Sequence, residues 1–279
     1  MANSITNNFG LALGGGGARG LAHIKILQVL DEFKMRPHKI AGTSMGALVG
    51  SLYAAGKSGL EIEELAKELF SKRTDLFKRI HKNKPGNFAR LFNLMTPAVI
   101  DSVAFFELLL HDQLPEKFED LEIPFVVSTA DFHTQKEYVV SSGPIMPAIA
   151  ASSTLPALLT PVQLDDRVLI DGGFVNPVPY NILSKDHEVT IAVDVTGEPP
   201  HQGNKVPSTV DALIGASQIM LRSLTSATLK TNPPTILVQP FVGRYNVLDY
   251  FKMAEIFEDT EHAADKLLGE LDKLLTVNA

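Results

Sequence analysis

The chain contains no cysteine. Disulfides, thiolate metal sites and a cysteine nucleophile are therefore all excluded. Basic charge is also short: 25 Lys+Arg stand against 32 Asp+Glu, a formal net charge of −7. That balance argues against nucleic acid as the main partner. No uninterrupted apolar run is long enough to span a bilayer. The opening stretch MANSITNNFG is polar, without a basic n-region followed by an apolar h-region, so no signal peptide is expected. There are no internal repeats. These absences lead to the expectation of a soluble, cytoplasmic protein whose membrane contacts are at most peripheral.

The 279 residues are 45% hydrophobic, enough core for one large α/β domain or two small ones. FGLAL (9–13) reads as a short buried strand, followed by glycines and a helix over 21–33 with Ile26, Leu27, Leu30 and Phe33 at helical spacing. KIAGTS reads as a second strand and MGALVGSLYAAG as a helix ending near Gly56. A further amphipathic helix is expected over 60–70. Strands are expected at 123–132, 137–142, 189–195 and 235–241, where β-branched residues cluster. PVQLDDRVLIDGG reads as a hairpin turning at Asp165-Asp166, and helical patterns cover 208–230 and 250–275. HQGNKVPS (201–208) reads as a loop. Strands alternating with helices predict a mostly parallel sheet covered on both faces. Its two early strand-to-helix turns would then lie side by side at the carboxyl edge, where open α/β folds bind ligands.

The second of these turns, Gly42-Thr43-Ser44-Met45-Gly46, matches G-x-S-x-G. A nucleophilic serine must project from a tight turn, and flanking glycines remove side chains that would clash with the neighbouring strand and helix. The following helix would bring backbone N–H groups and a positive dipole end near Ser44, where an oxyanion would form. The first turn carries Gly14 to Gly17, and Gly15, Gly17 and Gly20 satisfy G-x-G-x-x-G. A dinucleotide site would want an acidic residue at the end of the next strand, yet the G-x-S-x-G turn stands there. A Walker G-K-[ST] pattern is missing from this loop. Consecutive glycines can instead aim several N–H groups at one oxyanion, with Arg19 adding positive charge nearby. Asp171, ending a strand before Gly172-Gly173, reads equally as a base for the serine and as an ordinary D-G turn residue.

A Ser-His-Asp triad is the usual serine-hydrolase solution, so the eight histidines matter. His187 and His262 follow Asp171, leaving the order Ser…Asp…His formally available. Two points oppose it. An α/β-hydrolase nucleophile follows several strands, whereas Ser44 follows at most two. Moreover, His187 precedes a strand and His262 lies inside an acidic helix.

Together the three pieces resemble the patatin-like phospholipase family. Gly15-Gly16-Gly17-Ala18-Arg19-Gly20 is similar to its G-G-G-x-[KR]-G loop, Gly42 to Gly46 to its nucleophile motif, and Asp171-Gly172-Gly173 to its D-G-[GA] motif. The run from Ala151 to Pro156 and the tail VQPFVGRYNVLDYFKMAEI are similar to small bacterial members. The resemblance implies a three-layer α/β/α fold and a single domain over 1–279, with a catalytic core at 9–197 and 198–279 completing it. It also implies a Ser-Asp dyad without histidine: Ser44 as nucleophile, Asp171 as general base, and the amides of Gly15, Gly16 and Gly17 as oxyanion hole. No metal or other cofactor is implied. The chain has Leu155-Pro156-Ala157 where members often have Ile-Pro-Gly, which bears on the acyl pocket rather than on catalysis.

The implied activity is a serine lipid acyl hydrolase: phospholipase A, lysophospholipase or carboxylesterase, acting on phospholipid or another acyl ester. Alternatives are an acyltransferase or thioesterase using the same acyl-serine, or a non-catalytic lipid- or nucleotide-binding regulator. Residues 71–100 carry a local charge of +6, with Phe77, Phe88, Leu91, Phe92 and Met95 interleaved. Such a segment suits an anionic bilayer surface, as a cap over the acyl site, and equally a solvated insertion. For the cap, charge reversal at Lys78, Arg79 and Lys82 is expected to weaken sedimentation with anionic vesicles; unchanged binding would leave the solvated insertion.

Overall fold

The computed structural model describes residues 8–70, 100–110, 112–156, 158–184, 186–187, 189–198 and 206–277. The basic segment 71–100 therefore lies, apart from Ile100, outside the described residues, as does most of the 201–208 stretch.

Among the described residues eight strands form one sheet: β1 (Phe9–Leu13), β2 (Lys39–Thr43), β3 (Phe125–Asp131), β4 (Lys136–Val140), β5 (Val162–Leu164), β6 (Arg167–Asp171), β7 (Val189–Val193) and β8 (Ile236–Val238). The order is β5-β6-β3-β2-β1-β7-β8, with β4 also paired to β3. Pairing is parallel from β3 through β2, β1 and β7 to β8. It is antiparallel where β3 meets β4 and β6 and where β6 meets β5. The expected mostly parallel sheet is thus a mixed one with an antiparallel edge.

Among the described residues eight helices accompany the strands: α1 (Ala22–Glu32), α2 (Met45–Ala54), α3 (Gly59–Phe70), α4 (Ser102–Leu109), α5 (Ile145–Ser152), α6 (Tyr180–Leu183), α7 (Thr209–Thr231) and α8 (Met253–Val277). Strand side chains alternate between faces, and the two cores follow that alternation. Leu11, Leu13, Ile40, Val127, Ile191 and Val193 join a large core with α1, α2, α3, α5 and α8. Ala12, Ala41, Val126 and Ala192 face the other way, toward Tyr180 and Leu183 of α6 and Leu229 of α7. Small residues on this second face let short α6 lie close to the sheet. The result is the three-layer α/β/α arrangement.

Three helices were not read from the sequence: α4, α5 and the four-residue α6. α4 starts from an Asp101 cap whose carboxylate accepts from the Ala104 N–H at 2.9 Å, a legible signal. α5 contains Pro147, which reads as a break, but here it sits in the first turn, where its missing N–H costs nothing. The expected hairpin is present: Asp165 and Asp166 both take positive φ, at 49° and 59°, as a two-residue turn matching strand twist requires. The strand expected over 235–241 is only Ile236–Val238, ending before Pro240.

The register of β3 decides where the sheet's working edge lies. β2 pairs with Phe125 to Ser128 and β6 with Thr129 to Asp131. β4 pairs with Val127 through Asp131, overlapping both. A strand has two edges, so β2 and β6 share the one that β4 leaves free. They run toward each other along it and meet end to end: Thr43 opposes Ser128 and Asp171 opposes the next residue, Thr129. The turn after β2 and the end of β6 are thereby forced together. β1 ends one strand away, with Leu13 opposite Gly42.

This convergence demands close backbone approach. A Cβ on Gly46 would lie 2.0 Å from the Leu13 carbonyl oxygen, and one on Gly172 would lie 2.1 Å from that of Ser128. Gly46→Ala is expected to cost more than ~3 kcal/mol in urea unfolding. Gly215→Ala, in open space on α7, is expected to gain about 0.5–1 kcal/mol.

Candidate active site

Ser44 sits between β2 and α2 with φ 53° and ψ −122°, a conformation that costs a non-glycine residue roughly 1–3 kcal/mol. As the residue before a helix it would ordinarily turn its hydroxyl onto the helix amides. It makes no such bond, and its Oγ donates instead to Asp171 Oδ2 at 2.9 Å. The backbone is held from both sides. Ser44 N–H donates to Ser152 Oγ at 2.8 Å, and Ser152 Oγ donates to the Ser128 carbonyl at 2.7 Å. The Ser44 carbonyl accepts from the Ala47 and Leu48 amides of α2. Thr43 Oγ1 donates to the Asn176 carbonyl at 2.8 Å, tying the turn to the chain beyond Asp171.

Asp171 ends β6 and is 8% exposed. Its Oδ1 accepts from the Gly173 N–H at 2.7 Å, leaving Oδ2 to face Ser44. Burial pushes its pKa up to about 6, against the opposing effect of the Gly173 and Ser44 hydrogen bonds. A carboxylate of ordinary pKa is a weak base at neutral pH; one near 6 is a stronger base and still ionised there.

The glycine loop leaves β1 next to this pair. Gly14 N–H donates to the Val193 carbonyl, Gly15 N–H to the Pro177 carbonyl and Ala18 N–H to the Val247 carbonyl. Gly15 is therefore not a free donor, and the expectation of three glycine amides narrows to Gly16 and Gly17. Those two amides have no partner among the described residues, and both residues line a cavity together with Ser44. Arg19 is buried, and besides placing a positive charge near the loop it clamps the backbone around it. It donates through Nε to the Gly16 carbonyl at 3.3 Å, through Nη1 to the Thr196 carbonyl at 2.6 Å, and to the Gln218 side-chain oxygen. In a planar trans peptide the N–H points opposite to the C=O. Anchoring the Gly16 carbonyl on Arg19 therefore turns the Gly17 N–H away from Arg19. Burial lowers the Arg19 pKa to about 10, partly offset by Asp194, so the guanidinium stays charged. Gly20 packs against the Met45 side chain and Gly42 against Ala47, closing the loop onto α2.

The histidines lie elsewhere. His23 is fully buried behind the loop, donating from Nε2 to the Gly14 carbonyl at 2.7 Å, and burial drives its pKa down to about 4. His187 pairs with His38 beside Gly10, toward the start of β1 rather than at its carboxyl end. His262 stacks on Phe241. His81, His111 and His201 are outside the described residues. Among the described residues no histidine lines the cavity, and no group of three or more His, Cys, Asp or Glu could hold a metal ion.

The cavity measures about 340 Å³, with Ser44, Asp171, Gly16 and Gly17 in its wall. Its other walls are largely apolar: Leu48 of α2, Phe105, Phe106 and Leu109 of α4, and Leu221 of α7. Leu155 and Leu158, flanking the position where the sequence departs from the common family pattern, also line it. No helix among the described residues is long and apolar enough to cross a membrane.

Residues 11–184 match the family model described as patatin-like phospholipase. The chain belongs to the patatin-like phospholipase family. An uncharacterized NTE family protein of Mycobacterium tuberculosis is 36% identical over 198 residues, 71% of this chain and 51% of that protein. Patatin-like phospholipase domain-containing protein 6 of Mus musculus is 30% identical over 70% of this chain and 14% of its own length. Lysophospholipase NTE1 of Scheffersomyces stipitis is 28% identical over 98% of this chain and 19% of its own. The chain thus spans about half, or much less, of these relatives. VipD from Legionella pneumophila shares the fold with a TM-score of 0.52 at 13% identity, over 93% of this chain and 67% of that one.

Within this patatin-like frame, sequence reading missed Ser152 as the clamp on the Ser44 amide. It lay inside the Ala151–Pro156 run, but nothing in the spacing shows that its hydroxyl bridges Ser44 and Ser128.

The raised Asp171 pKa has a stability consequence. Between about pH 4 and 6 the native state holds a proton that the unfolded chain, with an ordinary value of 3.8, has lost. Stability therefore falls as pH rises through this window, by up to ~3 kcal/mol above pH 6. Asp171→Asn is expected to melt above the wild type at pH 7.5, with the difference fading toward pH 4.

Proposed function

We propose that the protein is a serine lipid acyl hydrolase acting through a Ser44-Asp171 dyad. The observation that carries this reading is the 2.9 Å hydrogen bond from Ser44 Oγ to a buried carboxylate at the wall of a large apolar cavity. Family membership and the printed names of relatives, lysophospholipase among them, support lipid esters as the substrate class.

In the proposed mechanism an acyl chain lies among the apolar walls with its ester carbonyl at Ser44. Ser44 Oγ attacks the carbonyl carbon while Asp171 Oδ2 takes the hydroxyl proton. The negative charge that develops on the carbonyl oxygen is met by the Gly16 and Gly17 amides. Each well-placed donor of this kind is worth about 3–4 kcal/mol. The C–O bond to the alcohol breaks, Asp171 returns its proton to the departing oxygen, and an acyl-serine remains. Water, deprotonated by the regenerated Asp171 carboxylate, then attacks the acyl carbon and restores Ser44.

Wild-type protein is expected to label with a fluorophosphonate probe, and Ser44→Ala to lose both labelling and at least ~10³-fold of esterase activity. Equal labelling of the two would defeat the reading. Because Asp171 must be ionised to accept the proton, kcat/KM should fall about tenfold per pH unit below about pH 6. Product analysis with phospholipid, lysophospholipid and acyl-CoA separates hydrolysis from acyl transfer.

A further inference from the structure

The polar side chains around the cavity can be accounted for one by one. Ser44 and Asp171 bind each other. Ser217 Oγ donates to the Leu213 carbonyl, and Gln218 accepts from Arg19 through its side-chain oxygen, its amide nitrogen having no hydrogen bond among the described residues. Ser153 Oγ has no partner, but it is sealed from the cavity space. Tyr250 remains. It lines the cavity, its hydroxyl forms no hydrogen bond among the described residues, and it is absent from the sealed, unpartnered polar atoms. Among the described residues it is the one hydroxyl in this wall that is both free and reachable.

Its position is fixed. The ring stacks on Phe70 of α3, with centroids 5.0 Å apart and planes 21° from parallel. Tyr250 opens the short turn leading into α8, so the phenol is carried by two packed elements rather than a loose loop. It also feels the negative charge of Asp171, which, after burial, raises its pKa to about 12. Between about pH 6 and 12 the phenol therefore keeps its proton while Asp171 is ionised, and its O–H is available as a hydrogen-bond donor.

We infer that Tyr250 is a further catalytic residue, its hydroxyl donating a hydrogen bond to the departing alcohol oxygen as the tetrahedral intermediate collapses. The inference rests on the acyl-serine reading above. The mechanism leaves a need for it. Asp171 is the sole proton carrier of the proposed dyad, and an alkoxide leaving from a lipid ester is strongly basic. As the C–O bond breaks, its electron pair goes to the alcohol oxygen, and the proton taken from Ser44 passes to that oxygen from Asp171. Tyr250 stabilises the oxygen meanwhile without losing its own proton, so the step balances as ester plus Ser44 hydroxyl to acyl-serine plus alcohol. The Gly16 and Gly17 amides are assigned to the carbonyl oxygen, so without Tyr250 the alcohol oxygen would have protonated Asp171 as its sole donor in the proposed mechanism.

Tyr250→Phe retains the ring and its stacking on Phe70 and removes only the hydroxyl. The test compares kcat/KM, which reports steps through acylation, for two short esters of the same acyl chain. One carries an alkyl alcohol and the other a nitrophenol, whose anion leaves without help. The expected result is a loss of about 10–100-fold for the alkyl ester, the scale of one hydrogen bond to a charged oxygen, and less than threefold for the aryl ester. Fluorophosphonate labelling, with its good leaving group, should proceed near the wild-type rate. Equal losses on both esters, or slow labelling, would indicate a packing role and overturn the assignment. No loss on either ester, or a fall in kcat at unchanged kcat/KM, would also overturn it. If Ser44→Ala retained wild-type turnover of both esters, the dyad itself would fall, and the Tyr250 role with it.

Discussion

A carboxylate can meet a serine inside a protein only if two chain segments end at the same buried point. Here that point is one residue step on β3, between Ser128 and Thr129. β2 arrives from one direction and β6 from the other, and each gives up its place on the strand where the other begins. The rest of the site depends on this head-to-head arrangement. Gly172 is needed because the β6 end passes over the Ser128 carbonyl, and that same carbonyl accepts from Ser152, which holds the Ser44 amide. The strained Ser44 backbone persists because its N–H and C=O are both bonded.

Electrostatics follows from the same burial. Desolvation works on three ionisable groups near the loop, with different outcomes. Asp171 keeps one amide donor and is raised to about 6; His23 is driven to about 4 and stays neutral; Arg19 is lowered to about 10 and stays charged. The neutral histidine and the charged arginine both serve the loop's carbonyls, at Gly14 and Gly16. The Gly16 carbonyl, held by Arg19, turns the Gly17 N–H to the other side, and neither the Gly16 nor the Gly17 amide has a partner among the described residues. The glycine run is thus sorted by its neighbours: the first two amides bind the fold, and the last two are unclaimed among the described residues.

The cavity combines this small polar wall with leucine and phenylalanine from α2, α4, α7 and the 155–159 stretch. Apolar walls around the Ser44-Asp171 pair strengthen each charge interaction there and sustain the raised carboxylate pKa. They also suit an acyl chain, so one physical feature serves both the proposed chemistry and the proposed substrate.

The sequence by itself determined the motifs and most of the elements. Short apolar strands, the glycines after β1, the G-x-S-x-G turn and the Asp-Asp hairpin all state local preferences that survive folding. It also named Ser44 and Asp171 as a pair, through the resemblance of three ordered motifs rather than through any spacing, since 127 residues separate them. Tertiary structure alone decided which amides remain free. Gly15 and Gly16 are identical as residues, yet the Pro177 carbonyl claims the first and no described group claims the second. It alone made Arg19 a clamp, Ser152 a brace and Tyr250 an open donor, because a hydrogen bond depends on where distant chain segments stop. Local preference is written in neighbouring residues; the partner of a buried polar group is set by the register of the sheet that brings it there.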